Sequence, residues 1–274
     1  MRFMLFSDFH CVPGVFDAGN MDRLRFLQRR AEEEHCHVIM HAGDLSHGAD
    51  TVPELLEAYN GFHIISLHTM GNHDADKTPY PETLRLLGLT RGHYFLDIKG
   101  YRFIFCDTNY LRNADGSFTH YSMENYVGRE KDKDWIPPEQ LIWLEKLVNG
   151  AEYPCIILSH HSFEREADGV QNRAEVRRII NEANRRRPHS VLLCINGHNT
   201  AIISASWMGY AIWRCPPPAL ILYRSGMSFS LLSWKRNTAA SPTPSCSTSR
   251  FPPLWSWRAP ASVCRGQKPP CSAM

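Results

Sequence analysis

A chain of 274 residues has room for one large α/β domain or two small ones. No run of about 18 apolar residues occurs, so no transmembrane helix is implied, and nine cysteines without a C-x-x-C pair support neither a zinc knuckle nor a disulfide framework. The formal charge of +2 hides an asymmetry: every Asp and Glu precedes Asn199, while eight Lys and Arg follow it. A body of net negative sign gives no electrostatic reason to expect nucleic acid as a partner. The apolar run at the N-terminus is too short for a signal peptide, and a cytoplasmic location is expected.

In chain order, Arg2 to Ser7 reads as a buried strand with Asp8 and His10 in the loop at its carboxyl end. A helix is predicted over Met21 to His35, with Leu24, Leu27 and Ala31 on one face. A second strand, His37 to His41, feeds Gly43-Asp44, and a helix opening at Thr51-Val52-Pro53 closes at Gly61. The third strand, His63 to Thr69, leads into Met70-Gly71-Asn72-His73-Asp74. This strand–helix alternation implies parallel strands, whose carboxyl ends gather ligands. After a helix near Glu82 to Leu87, His93 to Ile98 and Tyr101 to Cys106 flank Lys99-Gly100, a hairpin signal.

Thr108 to Ile136 is a long polar stretch holding Tyr110, Phe118, Tyr121, Tyr126 and Trp135. Its aromatics either pin a loop to the body or form a lid or substrate wall, and the first is the favoured reading. A helix from Pro137 to Val148, a strand over Cys155 to Ser159, a helix from Asn172 to Arg187 and a strand over Ser190 to Ile195 follow. The Arg185-Arg186-Arg187 run reads as cationic decoration of a helix C-terminus. His160-His161 and Gly197-His198 stand just past the last two strands. Five apolar runs thus each end in a metal-capable side chain. Carboxylates can bridge two divalent ions, imidazoles fix geometry, and a neutral amide oxygen limits the negative charge.

In the order D-x-H, G-D, G-N-H-D, H, G-H, the chain resembles the calcineurin-like metallophosphoesterases over residues 1–199. The resemblance implies an α/β fold, a four-layer sandwich of two mixed β-sheets flanked by helices. It implies two divalent ions (Mn, Fe or Zn), with Asp8 and His10 on the first, Asp44 bridging, and Asn72, His160 and His198 on the second. A metal-bridging hydroxide would attack phosphorus in line. His73 would be the general acid that protonates the leaving alkoxide, its ring oriented by Asp74. The implied substrate is a small-molecule phosphoester, diester or monoester, with no membrane partner; nothing in the sequence speaks to oligomeric state. His161 is either the alternative ligand to the favoured His160 or a supporting residue. His47 either touches substrate or closes a turn, and the turn is favoured.

The segment 200–274 departs from the family. It is rich in Pro, Ser, Trp and Arg, contains no acidic residue, and holds ten of the 18 prolines and five of the seven tryptophans. Thr200 stands where the family's last histidine is expected. Restoring one C after the Asn199 codon turns the Thr200 position into CAC, histidine, and forces Asp-Gly from the codons of Trp207-Met208-Gly209. Two expectations follow: a tail that is disordered or out of frame, and a second sheet left incomplete. The rival to an active enzyme is a truncated remnant, impaired or dead.

Overall fold

Strand β1 (Phe3–Phe6) is buried at all four positions because apolar layers cover both faces of its sheet. Phe3 and Leu5 face one core, while Met4 and Phe6 face another, the period-2 alternation of a strand. The computed structural model describes residues 1–12, 20–76 and 78–198, and beyond these the backbone of 205–207, 210–214, 219–224 and 228–233. β1 pairs in parallel with β2 (Val38–His41), and β2 with β3 (Ile65–His68). The crossovers are helices α1 (Asn20–Glu33) and α2 (Pro53–Asn60). α1 turns Leu24, Leu27 and Ala31 inward at helical spacing, and α2 starts on Pro53, whose missing N–H no helix needs at that position.

After α3 (Tyr80–Leu86), β4 (Tyr94–Ile98) and β5 (Tyr101–Cys106) form the expected hairpin. Its two turn residues, Lys99 and Gly100, have φ of 51° and 80°, the doubly positive pattern that suits a two-residue hairpin turn. A small hairpin, β6 (Tyr110–Arg112) with β7 (Phe118–His120), lies inside the long polar stretch, where the sequence suggests only loop. Then come α4 (Pro138–Asn149), β8 (Cys155–Ser159), α5 (Arg173–Arg186) and β9 (Val191–Asn196). β5, β8 and β9 run parallel.

The two larger sheets pack face to face with helices outside, giving four layers. Phe3, Leu5, Val38 and Met40 meet Phe103, Phe105, Ile156 and Leu158 in the central core. Phe3 and Phe103 lie edge to face, centroids 5.9 Å apart. α1 and α2 cover the outside of the first sheet, and α4 and α5 the outside of the second. Each large apolar side chain so buried contributes roughly 1.5–3 kcal/mol relative to exposure.

Beyond His198 the described backbone holds four more strands, while the expectation of a disordered or out-of-frame tail falls largely outside the described residues. β10 (Ala205–Trp207) and β11 (Tyr210–Arg214) extend the sheet of β9, giving the order β10-β11-β9-β8-β5-β4. β12 (Ala219–Arg224) and β13 (Ser228–Ser233) complete the other, in the order β13-β12-β1-β2-β3, with β12 antiparallel to β1. The physical reason is local: Tyr210-Ala-Ile-Trp-Arg and Ala219-Leu-Ile-Leu-Tyr are short apolar runs rich in branched and aromatic residues, and the sheets offer them free edges. Thr200 and residues 234–274 lie outside the described residues.

Candidate metal centre

The parallel strands end on one side of the sandwich, and their loops bring the sequence-predicted residues together. Asp8 follows β1, Asp44 follows β2, Asn72 and His73 follow β3, His160 follows β8, and His198 follows β9. Backbone bonds register these loops: Asp8 N–H donates to Gly43 O and His10 N–H to Asp44 O, both at 2.9 Å. Glycine is required at two close approaches. A Cβ on Gly43, at φ 100°, would overlap the His160 ring, and one on Gly71 would overlap the Asp44 amide and carboxylate.

Two groups of donor atoms share this space. In one, His10 Nε2 lies 3.8 Å from Asp8 Oδ1 and 3.9 Å from Asp44 Oδ2. In the other, His160 Nε2 lies 3.1 Å from each of Asp44 Oδ2, Asn72 Oδ1 and His198 Nδ1. Asp44 belongs to both.

The second group is chemically incomplete without a cation. His160 Nδ1 donates to Ala42 O at 2.9 Å, since a carbonyl cannot donate. A neutral His160 therefore turns an Nε2 lone pair toward two further acceptors, Asp44 Oδ2 and Asn72 Oδ1. Either a proton on Nε2 or a metal ion reconciles them. Burial works against charge on His160, but Asp44, hydrogen-bonded beside it, and Asp8 outweigh burial and hold the imidazole up to about 9. Burial likewise opposes ionisation of Asp44, and His160 reverses this to hold its carboxyl well below the usual range. Burial, with Asp44 adding, pushes Asp8 up to about 6. Burial and His160 push His198 down to about 3. Oxygen and imidazole donors in this mixture suit Mn, Fe or Zn.

Asp74 requires a correction. Its carboxylate is fully buried and accepts from the backbone amides of Asp44 (2.9 Å), Ser46 (2.9 Å) and Gly71 (3.0 Å), and from Ser46 Oγ (3.1 Å). Those donors tie its carboxylate to the Asp44 loop and to Gly71, away from the expected contact with the His73 ring. The ring partner is Asp76, whose Oδ2 lies 2.8 Å from His73 Nδ1. Burial works against charge on His73, and the Asp76 hydrogen bond and Asp44 outweigh it, raising its pKa.

His47 is also more than a turn residue. Its Nε2 lies 2.9 Å from His10 Nδ1, and its ring stacks on His73, centroids 4.1 Å apart and planes 22° off parallel. The imidazoles of His10, His47 and His73 form a partly exposed group at the mouth. His161 has Thr108 Oγ1 2.7 Å from its Nδ1 and Asp134 Oδ1 3.1 Å from its Nε2, and it also offers a ring nitrogen within 4.8 Å of donor atoms on His160 and His198. Tyr126, from the long stretch, reaches both Asn72 and Asp76. Sequence reasoning missed Asp76 and Tyr126. The i, i+3 spacing of Asp76 from His73 was a signal for the first; nothing local signals the second.

The family model described as calcineurin-like phosphoesterase matches residues 1–199. No curated protein matches in sequence. Among solved structures, the chain is similar to a dimetal phosphatase from Danio rerio at 14% identity and TM-score 0.64, over 84% of this chain and 95% of that one. It is also similar to GAP50, the anchor in the inner membrane complex of Plasmodium, at 12% identity and TM-score 0.57, over 90% of this chain and 88% of that one. At such identities these two likenesses speak for the fold, whereas the family match spans the whole stretch that carries the five motifs. On that match, the chain belongs to the calcineurin-like phosphoesterases.

Proposed function

We propose that the protein hydrolyses a small-molecule phosphoester, diester or monoester, with two divalent ions. The observation that carries this reading is the sharing of Asp44 between two donor groups, Asp8–His10 and Asn72–His160–His198. When bound, such ions supply Lewis-acid charge and an activated water. Asp8, His10 and Asp44 would hold one, and Asp44, Asn72, His160 and His198 the other. His73, at the mouth, would give a proton to the leaving oxygen from Nε2, a reading supported by Asp76 engaging Nδ1. Asp74 keeps the Asp44 loop in place. Among the described residues no helix is long and apolar enough to cross a membrane, and a cytoplasmic site of action remains part of the proposal.

The test is metal content and turnover after loading with Mn2+. Two ions per chain and hydrolysis of bis-p-nitrophenyl phosphate or p-nitrophenyl phosphate support the reading; a chain that binds ions and turns over neither ester overturns it.

A second reading, an impaired or dead remnant of such an enzyme, rests on Thr200, which stands where the family's last histidine is expected. The fold also serves an anchor protein. A gene with one C inserted after the Asn199 codon separates the two. If the tail is a frame-shift product, the repaired chain binds ions more tightly, melts higher and hydrolyses aryl esters faster. An early stop codon or no gain in metal assigns Thr200 to the native protein.

A further inference from the structure

Tyr126 lies 54 residues from Asn72 in sequence, yet its hydroxyl sits between that amide and Asp76. Asn72 Nδ2 lies 3.0 Å from the hydroxyl, and the hydroxyl 2.9 Å from Asp76 Oδ1. The other oxygen of Asp76 is 2.8 Å from His73 Nδ1. The polarity of this chain is forced from one end. An ionised carboxylate has no proton to give, so Asp76 Oδ1 takes the single proton of Tyr126 and Oδ2 takes the Nδ1 proton of His73. With its proton committed, the hydroxyl can only accept, so it must receive from the Asn72 NH2. That turns Asn72 Oδ1, and not its NH2, toward His160 Nε2, 3.1 Å away. A flipped amide would aim two N–H groups at a cation.

We propose that Tyr126 and Asp76 are positioning residues that fix, through one hydrogen-bond chain, the amide oxygen of Asn72 and the ring of His73. The proposal rests on the two-metal reading above and adds that the long stretch 108–136 sets the geometry of both. The stretch is itself keyed in place. Tyr126 stacks on Tyr121 with centroids 4.3 Å apart, and Tyr121 OH donates to Asp134 Oδ1 at 2.6 Å.

The experiment uses the full chain with Tyr126→Phe, which keeps the ring on Tyr121 and removes the hydroxyl. Asp76→Asn is the second variant, because its amide can donate and so releases the polarity. Mn2+ titration should show one of two ions bound roughly 10–100-fold more weakly in each. On an alkyl phosphodiester kcat should fall more than on an aryl one, with KM nearly unchanged. Two ions at wild-type affinity overturn the proposal, as does a loss confined to metal or to turnover alone, since the chain couples both. Should the wild-type protein neither load Mn2+ nor turn over, the functional reading fails separately. The coupling is then read from the 15N resonance of His73 Nδ1. Tyr126→Phe should shift it through Asp76, and an unmoved resonance overturns the proposal.

Discussion

The site has a dry half and a wet half. Asp44, His160, Asp8 and Asn72 are 1%, 0%, 4% and 5% exposed. The side chains of His10 and His73 are 34% and 32% exposed, and His47 lies between them. In the dry half, charges face each other at short range with little water to screen them, and backbone amides dictate where each carboxylate sits. In the wet half, three imidazoles touch one another and can exchange protons with solvent or substrate. The difference sets a buried cluster of candidate ligands against a partly exposed trio of imidazoles, with His10 belonging to both because it also stands beside Asp8 and Asp44.

The harshest way to break that division is Asp44→Asn. It removes the shared carboxylate and leaves His160 buried without its partner, which costs about 3–5 kcal/mol of stability. Both ions should be lost, as read by metal analysis, and the melting temperature should drop. Retention of two ions would remove Asp44 from the bridging position.

His73→Ala tests the wet half alone. Turnover of alkyl esters should fall by about 10²–10⁴-fold, activated aryl esters should suffer less, and ion binding should persist. Equal losses on both esters would exclude the proton-donor role.

pH sharpens the comparison. The folded His160 is held up to about 9, above its ordinary value, so its pairing stabilises metal-free protein most below about pH 6.5 and less as pH rises through about 9. An ion must displace that proton. Mn2+ affinity should therefore rise about tenfold per pH unit from 7 toward 9, as measured by titration calorimetry in two buffers of different ionisation enthalpy. A flat profile would mean that His160 is not a ligand.

The smallest effect is expected from His47→Ala. If its ring only steadies His10 and His73, binding of one ion weakens by roughly tenfold, within the range for partners of metal ligands. The melting temperature of metal-free protein should barely move, because the ring is partly exposed.

What was legible in the sequence follows this division. Short buried runs ending in Asp, Asn or His announce themselves through strand periodicity, so the framework and the dry half could be read directly. The hairpin at Lys99-Gly100 was equally plain, since turn chemistry is local. Side-chain direction within a turn is not. Asp74 and Asp76 are both near His73 in sequence, and only the loop's path decides that Asp76 meets the ring while Asp74 turns back to Ser46. Tyr126 needed a long-range approach that no spacing encodes. β12 was missed for a related reason: its partner is β1, at the opposite end of the chain, and the composition of the whole tail masked a short run suited to a sheet edge.

One backbone feature sets most of the candidate ligands apart from their neighbours. Asp8, His10, Asp44 and His198 have φ of 53°, 49°, 61° and 66°, the left-handed region. Asp and His tolerate it better than most residues, yet each such position is held roughly 1 kcal/mol or more above what glycine would require. Four of the six candidate ligands thus sit in a wound backbone that the surrounding sheets keep from relaxing. His10 is the most exposed of the four and sits outside the buried His160–Asp44 pair, so His10→Gly should raise the melting temperature of metal-free protein while it abolishes loading of one ion.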